Sequence, residues 1–220
     1  RQNDANLYNT SGSANNQDFN GTTWFNIKDN TMIALNVGNF SINIFDVAND
    51  KINLTAKLQL SSTTQGYPIW GAIQNNILFA ITNKSILAID ISNNYAPIVV
   101  GQVNDADFAS YPAISSSSTI RSSRRKMQLQ GKYLYIVTDN SKFVVYDVSN
   151  VNNMTRVSST TDATALTGPA AISVKDNYAY TLDTGGFGGP VYNVCAWDIT
   201  NPLSPSKKGC SASAGQRAID

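Results

Sequence analysis

Asp105 and Asp107, in the run NDADF, alternate as the acids of a calcium loop do, and Tyr111 follows shortly after. The glycine turn and distal glutamate of an EF-hand are missing, so calcium is the one cofactor these residues suggest and no metal site is assigned to them. Arg121, Arg124 and Arg125, in RSSRRK (121–126), could hold an anionic sugar, a carboxylate or an acidic partner through their planar guanidinium groups. The bland alternative is a solvated basic loop leading into a strand. In TGGFGGPVYN (184–193) the glycines lack the lysine and the strand-to-helix context of a phosphate loop. They suit a tight loop that presents Phe187, with Asp183 and Tyr192 at its ends. The chain contains no histidine and no glutamate. The commonest general base and metal ligand is therefore missing, and a carboxylate-based hydrolase or lyase would have to work with aspartates alone.

A further set of aspartates recurs. INIFDVAN (42–49), LAIDISN (87–93), VVYDVSN (144–150) and CAWDITN (195–201) share the pattern D-[VI]-[AST]-N at Asp46, Asp90, Asp147 and Asp198, spaced by 44, 57 and 51 residues. Each copy follows another β-type run (TMIALNV, ILFAIT, YLYIVT, YAYTLD), which itself follows a short run ending in a polar turn. A fourth run comes after the motif. These runs are rich in Val, Ile, Tyr and Phe and bounded by Asn, Asp, Gly and Pro, which is strand and turn chemistry. Four short strands per 44–57 residues is the unit of a β-propeller blade. Runs apolar on both faces fit sheets sandwiched between neighbours. The recurring aspartates then read as structural: each carboxylate can accept from backbone N–H groups of the turn leaving its strand.

The third strand of each unit (INIFD, LAID, VVYD, CAWD) resembles the LVIVD repeat, and KYLYIVT and NYAYTLD are similar to the strand that precedes it in that family. The resemblance implies a β-propeller, often in secreted or surface-attached proteins, and says little about function because propeller scaffolds host many activities. The expected organisation is a polar arm or linker over 1–18, then blades over about 19–62, 63–104, 117–161 and 165–213. GQRAID (215–220) reads as the start of a further blade, which predicts a segment of a larger propeller.

Cys195 and Cys210 are the only cysteines, and the midpoint between them falls at Pro202–Leu203, in the turn after the fourth motif. Residues equidistant from a hairpin turn face each other, so a disulfide is expected in preference to two buried thiols. It would imply an oxidising compartment. Sequons at Asn9, Asn20, Asn39, Asn53, Asn83 and Asn153 are candidate N-glycosylation sites, although a chain this rich in Asn, Ser and Thr contains such triplets by chance.

Sixteen basic residues against fifteen acidic leave a net charge of +1, without the basic patch of a nucleic-acid binder. No apolar run approaches the roughly 20 residues of a membrane-spanning helix. In a blade, the loops joining strands two to three, and strand four to the next blade, emerge on one face. The two long insertions (104–124 and 184–193) belong to those classes and mark a contact surface. The reading is an extracellular, non-catalytic module acting in assembly or adhesion with other protein subunits. The alternative is a lectin-like or small-ligand binder on the long-loop face, near Tyr111, Asp183, Phe187 and Tyr192.

Overall fold

In the computed structural model of the protein, which describes residues 21–48, 51–110, 126–183 and 193–211, each repeat is a four-stranded antiparallel sheet in simple up-and-down order. The first sheet is β1 (Thr22–Lys28), β2 (Thr31–Asn36), β3 (Ser41–Asp46) and β4 (Asn53–Gln59). The second is β5 (Pro68–Gln74), β6 (Ile77–Thr82), β7 (Ser85–Asp90) and β8 (Ile98–Asn104). The third, after a 3-10 turn at Ala106–Ser110, is β9 (Met127–Gln130), β10 (Tyr133–Thr138), β11 (Lys142–Asp147) and β12 (Thr155–Thr161). The fourth is β13 (Pro169–Lys175), β14 (Tyr178–Asp183), β15 (Asn193–Asp198) and β16 (Ser206–Cys210). Among the described residues this is an all-β propeller fold with four blades. The arm at 1–18, the stretch 117–125 assigned to the third blade, and GQRAID lie outside the described residues.

The local chemistry repeats with the sheets. The first hairpin of every blade closes on a two-residue turn, and its first residue is left-handed: Asp29 at φ 52°, Asn75 at 54°, Gly131 at 59° and Asp176 at 54°. Asn, Asp and Gly tolerate that conformation best. Every blade also carries a register shift between strands three and four, at Ile44/Phe45, Ala88/Ile89, Val145/Tyr146 and Ala196/Trp197. An extra residue there bends the outer strand and increases its twist.

The chain divides into two compact units, one holding β1–β8 and the other the 3-10 turn and β9–β16. In the first unit, the second and third strands are buried along nearly their whole length, on both faces. Ile33, Leu35, Ile42 and Ile44 of the first blade pack with Leu78, Ala80, Leu87 and Ile89 of the second. Gly71 permits this approach, because a Cβ there would sit 3.1 Å from the Trp24 ring. In the second unit, Tyr135, Val137, Phe143 and Val145 pack with Ile172, Ala179, Cys195 and Trp197. Within each unit, one face of the first sheet thus packs on the opposite face of the second. The alternation of side chains along a strand separates the two faces of a sheet.

Polar contacts repeat across both packed pairs. Lys28 donates to the Asn75 carbonyl at 3.3 Å, and Gln130, at the same place in the third blade, donates to the Asp176 carbonyl at 2.7 Å.

Candidate functional site

The four motif aspartates are placed by the end of the third strand and close the turn beyond it. Their Oδ1 atoms accept from the backbone N–H two residues on: Ala48 to Asp46 at 3.2 Å, Ser92 to Asp90 at 2.8 Å, Ser149 to Asp147 at 2.9 Å and Thr200 to Asp198 at 2.9 Å. The intervening residue donates back to the first hairpin turn of its own blade, as Val47 to Asn30, Ile91 to Asn76, Val148 to Lys132 and Ile199 to Asn177. The motif asparagine makes a second turn of the same kind, with Asn93 accepting from Tyr95, Asn150 from Asn152 and Asn201 from Leu203. Aspartate and asparagine are both needed because each caps one of two successive turns. The Ser149 hydroxyl, followed by the Lys132 ammonium, pulls the Asp147 carboxyl down to about 2. The Thr200 hydroxyl and backbone N–H, with Lys208, do the same for Asp198, also to about 2.

Asp105 and Asp107, which suggested calcium, belong instead to an ion-pair cluster. Arg156 Nη1, from β12, donates to Asp105 Oδ2 at 3.0 Å and to Asp107 Oδ2 at 2.9 Å. Lys142 Nζ, at the start of β11, reaches Asp107 Oδ1 at 2.5 Å, and Asn140 Nδ2 reaches the same oxygen at 2.9 Å. The Tyr146 hydroxyl donates to Asp105 Oδ2. Two protein cations therefore pair with these carboxylates. Burial pushes the Asp107 carboxyl up, but the hydrogen bonds from Lys142 and Asn140 outweigh it and the group titrates below its ordinary value. Burial, and then the bond to Asp105, raise the Tyr146 hydroxyl far above the usual tyrosine range. Among the described residues no group of three or more His, Cys, Asp or Glu could hold a metal.

Asp183, expected to line a ligand pocket, is fully buried at the end of β14. Its Oδ2 accepts from the Thr167 N–H and hydroxyl at 2.6 and 2.7 Å, and its Oδ1 from the Gly168 N–H at 2.9 Å. It fixes the entry into β13. Tyr111, Arg121, Arg124, Arg125, Phe187 and Tyr192 lie outside the described residues. Lys126, the last residue of the basic run, is not solvated: its buried ammonium pairs with Asp139 at 2.7 Å and donates to the Pro169 carbonyl.

Cys195 and Cys210 form a disulfide, with Cα atoms 4.0 Å apart at directly opposed positions of β15 and β16. Of the described sequons, Asn153 is exposed. Asn83 is partly buried, and its Oδ1 accepts from the Tyr67 N–H at 3.0 Å. Asn39 and Asn53 are also partly covered, and Asn9 and Asn20 lie outside the described residues. The tryptophans pack rather than offer stacking platforms: Trp24 and Trp197 are buried in the two cores, and Trp70, partly buried, packs against the first of them.

Sequence reasoning missed Arg156, Lys142 and Tyr146. Their only signal was the need of Asp105 and Asp107 for counter-charges. It also missed Asp162, which accepts from the Thr164 and Ala165 N–H groups at 3.0 and 2.9 Å and pairs with Lys207.

Comparison with known proteins places this geometry. Residues 77–105 and 124–162 match the LVIVD repeat, so the chain carries LVIVD repeats in its second and third blades. No match was found among curated proteins. Among solved structures, a provisionally assigned 6-phosphogluconolactonase from Bacteroides uniformis is similar at 16% identity and a TM-score of 0.62, over 91% of this chain and 58% of that one. A protein from Lactobacillus plantarum is similar at 10% identity and a TM-score of 0.65, over 87% and 57%. BamB from Moraxella catarrhalis is similar at 14% identity and a TM-score of 0.54, over 86% and 48%. At such identities the likeness is one of fold. The chain spans about half to three-fifths of the length of these neighbours.

Proposed function

For a β-propeller built on LVIVD repeats, we propose a non-catalytic role: an extracellular module that works through contacts with other protein subunits. One observation carries this reading. The acids that sequence marked as ligands, Asp105, Asp107 and Asp183, are held by Arg156, Lys142, Tyr146, Thr167 and Gly168 of the same unit, so they fix loops rather than face a substrate. Catalysis by a carboxylate pair needs two convergent acids with separated pKa values, and these acids are committed to protein donors. The disulfide favours an oxidising compartment.

The test uses the native protein from its source. Its mass is measured under native conditions, then intact before and after removal of N-glycans. Complexes with other subunits, and glycan loss assigned to Asn153, support the reading. A single chain that hydrolyses a phosphogluconolactone, or that binds a defined glycan on an array, overturns it in favour of an enzyme or a lectin.

A further inference from the structure

The fourth strand of every blade ends its sheet, so β4, β8, β12 and β16 each present an edge of backbone N–H and C=O groups. Such an edge is a template for pairing with another chain, and a charged side chain on the strand deters it. Three of the four strands carry a cation: Lys57 on β4, Arg156 on β12, and Lys207 with Lys208 on β16. β8 reads IVVGQVN and carries no charge. Four of its seven residues are β-branched, and Pro97 stands just before the strand rather than in it. The register shift against the third strand occurs in all four blades, so it does not set β8 apart.

The entry to β8 is apolar and held in place. Tyr95 is 76% exposed and Ile98 56%. Between them and the motif, Asn94 Nδ2 donates to Thr31 Oγ1 at 2.7 Å, and Thr55 Oγ1 donates to the Asn94 carbonyl at 3.3 Å. The Tyr95 N–H donates to Asn93 Oδ1 at 3.0 Å. Both threonines belong to the first blade, so the turn that presents Tyr95 is pinned from outside its own sheet. The far end of the strand is braced as well, with Gln102 Nε2 donating to the Thr64 carbonyl at 3.0 Å and to Asn104 Oδ1 at 2.7 Å. An edge ordered in advance loses little entropy when a partner pairs with it.

We propose that β8 is a self-association edge: the β8 strands of two copies pair antiparallel about a two-fold axis, joining two second blades into one sheet of eight strands. Charge selects a second copy as the occupant. An isologous pair brings each strand against its own duplicate, so β4, β12 and β16 would bring Lys57, Arg156 or the Lys207–Lys208 pair up against the same cations, which is unfavourable across strands. β8 is the one fourth strand among the described residues that can meet itself without like charges. The antiparallel sense also uses the apolar entry twice. It sets Tyr95 and Ile98 of each copy beside the Gln102–Asn104 end of the other, so both ends of the paired ribbon are flanked by an apolar side chain. Main-chain hydrogen bonds supply the attraction and these side chains the fit. The inference deepens the assembly reading and rests on it.

The experiment is sedimentation of the 220-residue protein over a micromolar to submillimolar series, with hydrogen exchange at both ends of the series. The expected limit is twice the 23.7 kDa of one chain and no more, because a two-fold edge pair closes on itself. Amides of 98–104 should gain protection with concentration while those of β4, β12 and β16 do not. Gln102→Lys puts a charge on the edge without touching the apolar entry, and the two-fold introduces it twice, so association should weaken by about 10-fold. Tyr95→Ser, at an exposed turn position outside the strand, should weaken it less. Circular dichroism and urea midpoints confirm that both variants keep the fold. A wild-type monomer, association that survives Gln102→Lys, or association that depends on Tyr95 alone with no protection gained in β8 overturns the inference. A wild-type monomer whose native source protein still runs in a complex fails this inference alone. A native single chain fails the assembly reading as well.

Discussion

The Phe143 ring of the third blade stacks on the Trp197 indole of the fourth, with centroids 5.2 Å apart and planes 5° from parallel. Trp197 is fully buried, and its Nε1 donates to Thr181 Oγ1 at 3.0 Å, so the largest side chain in that core is both packed and satisfied. Trp197→Ala should therefore cost about 3–5 kcal/mol, through lost burial and the cavity left behind. Thr181→Val keeps the volume but strands the indole N–H, at about 1–3 kcal/mol. Urea unfolding of both variants checks the order. A Thr181→Val cost equal to that of Trp197→Ala would show that the hydrogen bond, not the packing, dominates.

The turn aspartates predict a particular acid limb. Hydrogen bonds from Ser92, Ser149 and Thr200 hold Asp90, Asp147 and Asp198 below the ordinary aspartate value of 3.8, with Asp147 and Asp198 near 2. A carboxyl depressed in the folded state stabilises it above its unfolded pKa, and that contribution disappears as pH falls through the folded one. Stability should thus decline between about pH 4 and pH 2. Asp147→Asn can still accept from the Ser149 N–H but loses Lys132, so it should flatten this decline at little cost near neutrality. Asp147→Ala loses the turn bond as well and should cost about 1 kcal/mol. Urea midpoints from pH 2 to 7 test this, and an unchanged slope in Asp147→Asn would refute it.

Arg156 is the counter-charge for two carboxylates that are mostly covered, with side-chain exposures of 9% and 11%. Its own guanidinium is partly in water, which reduces the effect of its loss. Arg156→Met should nonetheless destabilise the second unit by about 2 kcal/mol, because Lys142 alone must balance both acids. Adding Asp105→Asn and Asp107→Asn to that variant should recover part of the loss, since neutral amides need no counter-charge. A double-mutant cycle reads the coupling. Calcium should leave the wild-type melting midpoint unchanged, as the oxygens it would take are already held by Arg156, Lys142 and Tyr146.

Much of the fold was legible because it is periodic. The D-[VI]-[AST]-N pattern at Asp46, Asp90, Asp147 and Asp198 marks the same local event four times, a capped turn after the third strand. Local events are written in adjacent residues. The hairpin turns at Asp29, Asn75, Gly131 and Asp176 are legible for the same reason. The charge cluster was not, because Arg156 meets Asp105 across 51 residues and Asp107 across 49, and no spacing rule connects them. Sequence could see the acids at 105 and 107 but not the protein cations, Arg156 and Lys142, that pair with them. Lys126 failed differently. Its neighbours made it look like one more member of a solvated run, whereas burial against Asp139 and Pro169 is decided by the blade it enters. Asp183 looked available because it borders a glycine loop, and only its contacts with Thr167 and Gly168 show it to be a cap.

The disulfide was also readable, from two cysteines equidistant from one turn, and it defines where the fourth blade is weakest. All five residues of β16 are exposed, so little apolar burial holds this outer strand to β15. Cys195 by contrast is fully buried, and the bond anchors the far end of β16 to it. A loop of this size, with a separation of 15 residues, is expected to contribute about 3 kcal/mol. Replacing both cysteines with serine, or reducing the protein, should lower stability by that order. It should also release β16 before the rest of the blade. Hydrogen exchange reads this directly: amides of 206–211 should lose protection on reduction while those of β10 and β11 keep theirs. Uniform loss across the second unit would mean that β16 is integral to the core rather than tied to it, and unchanged protection would mean that the pairing with β15 suffices without the bond.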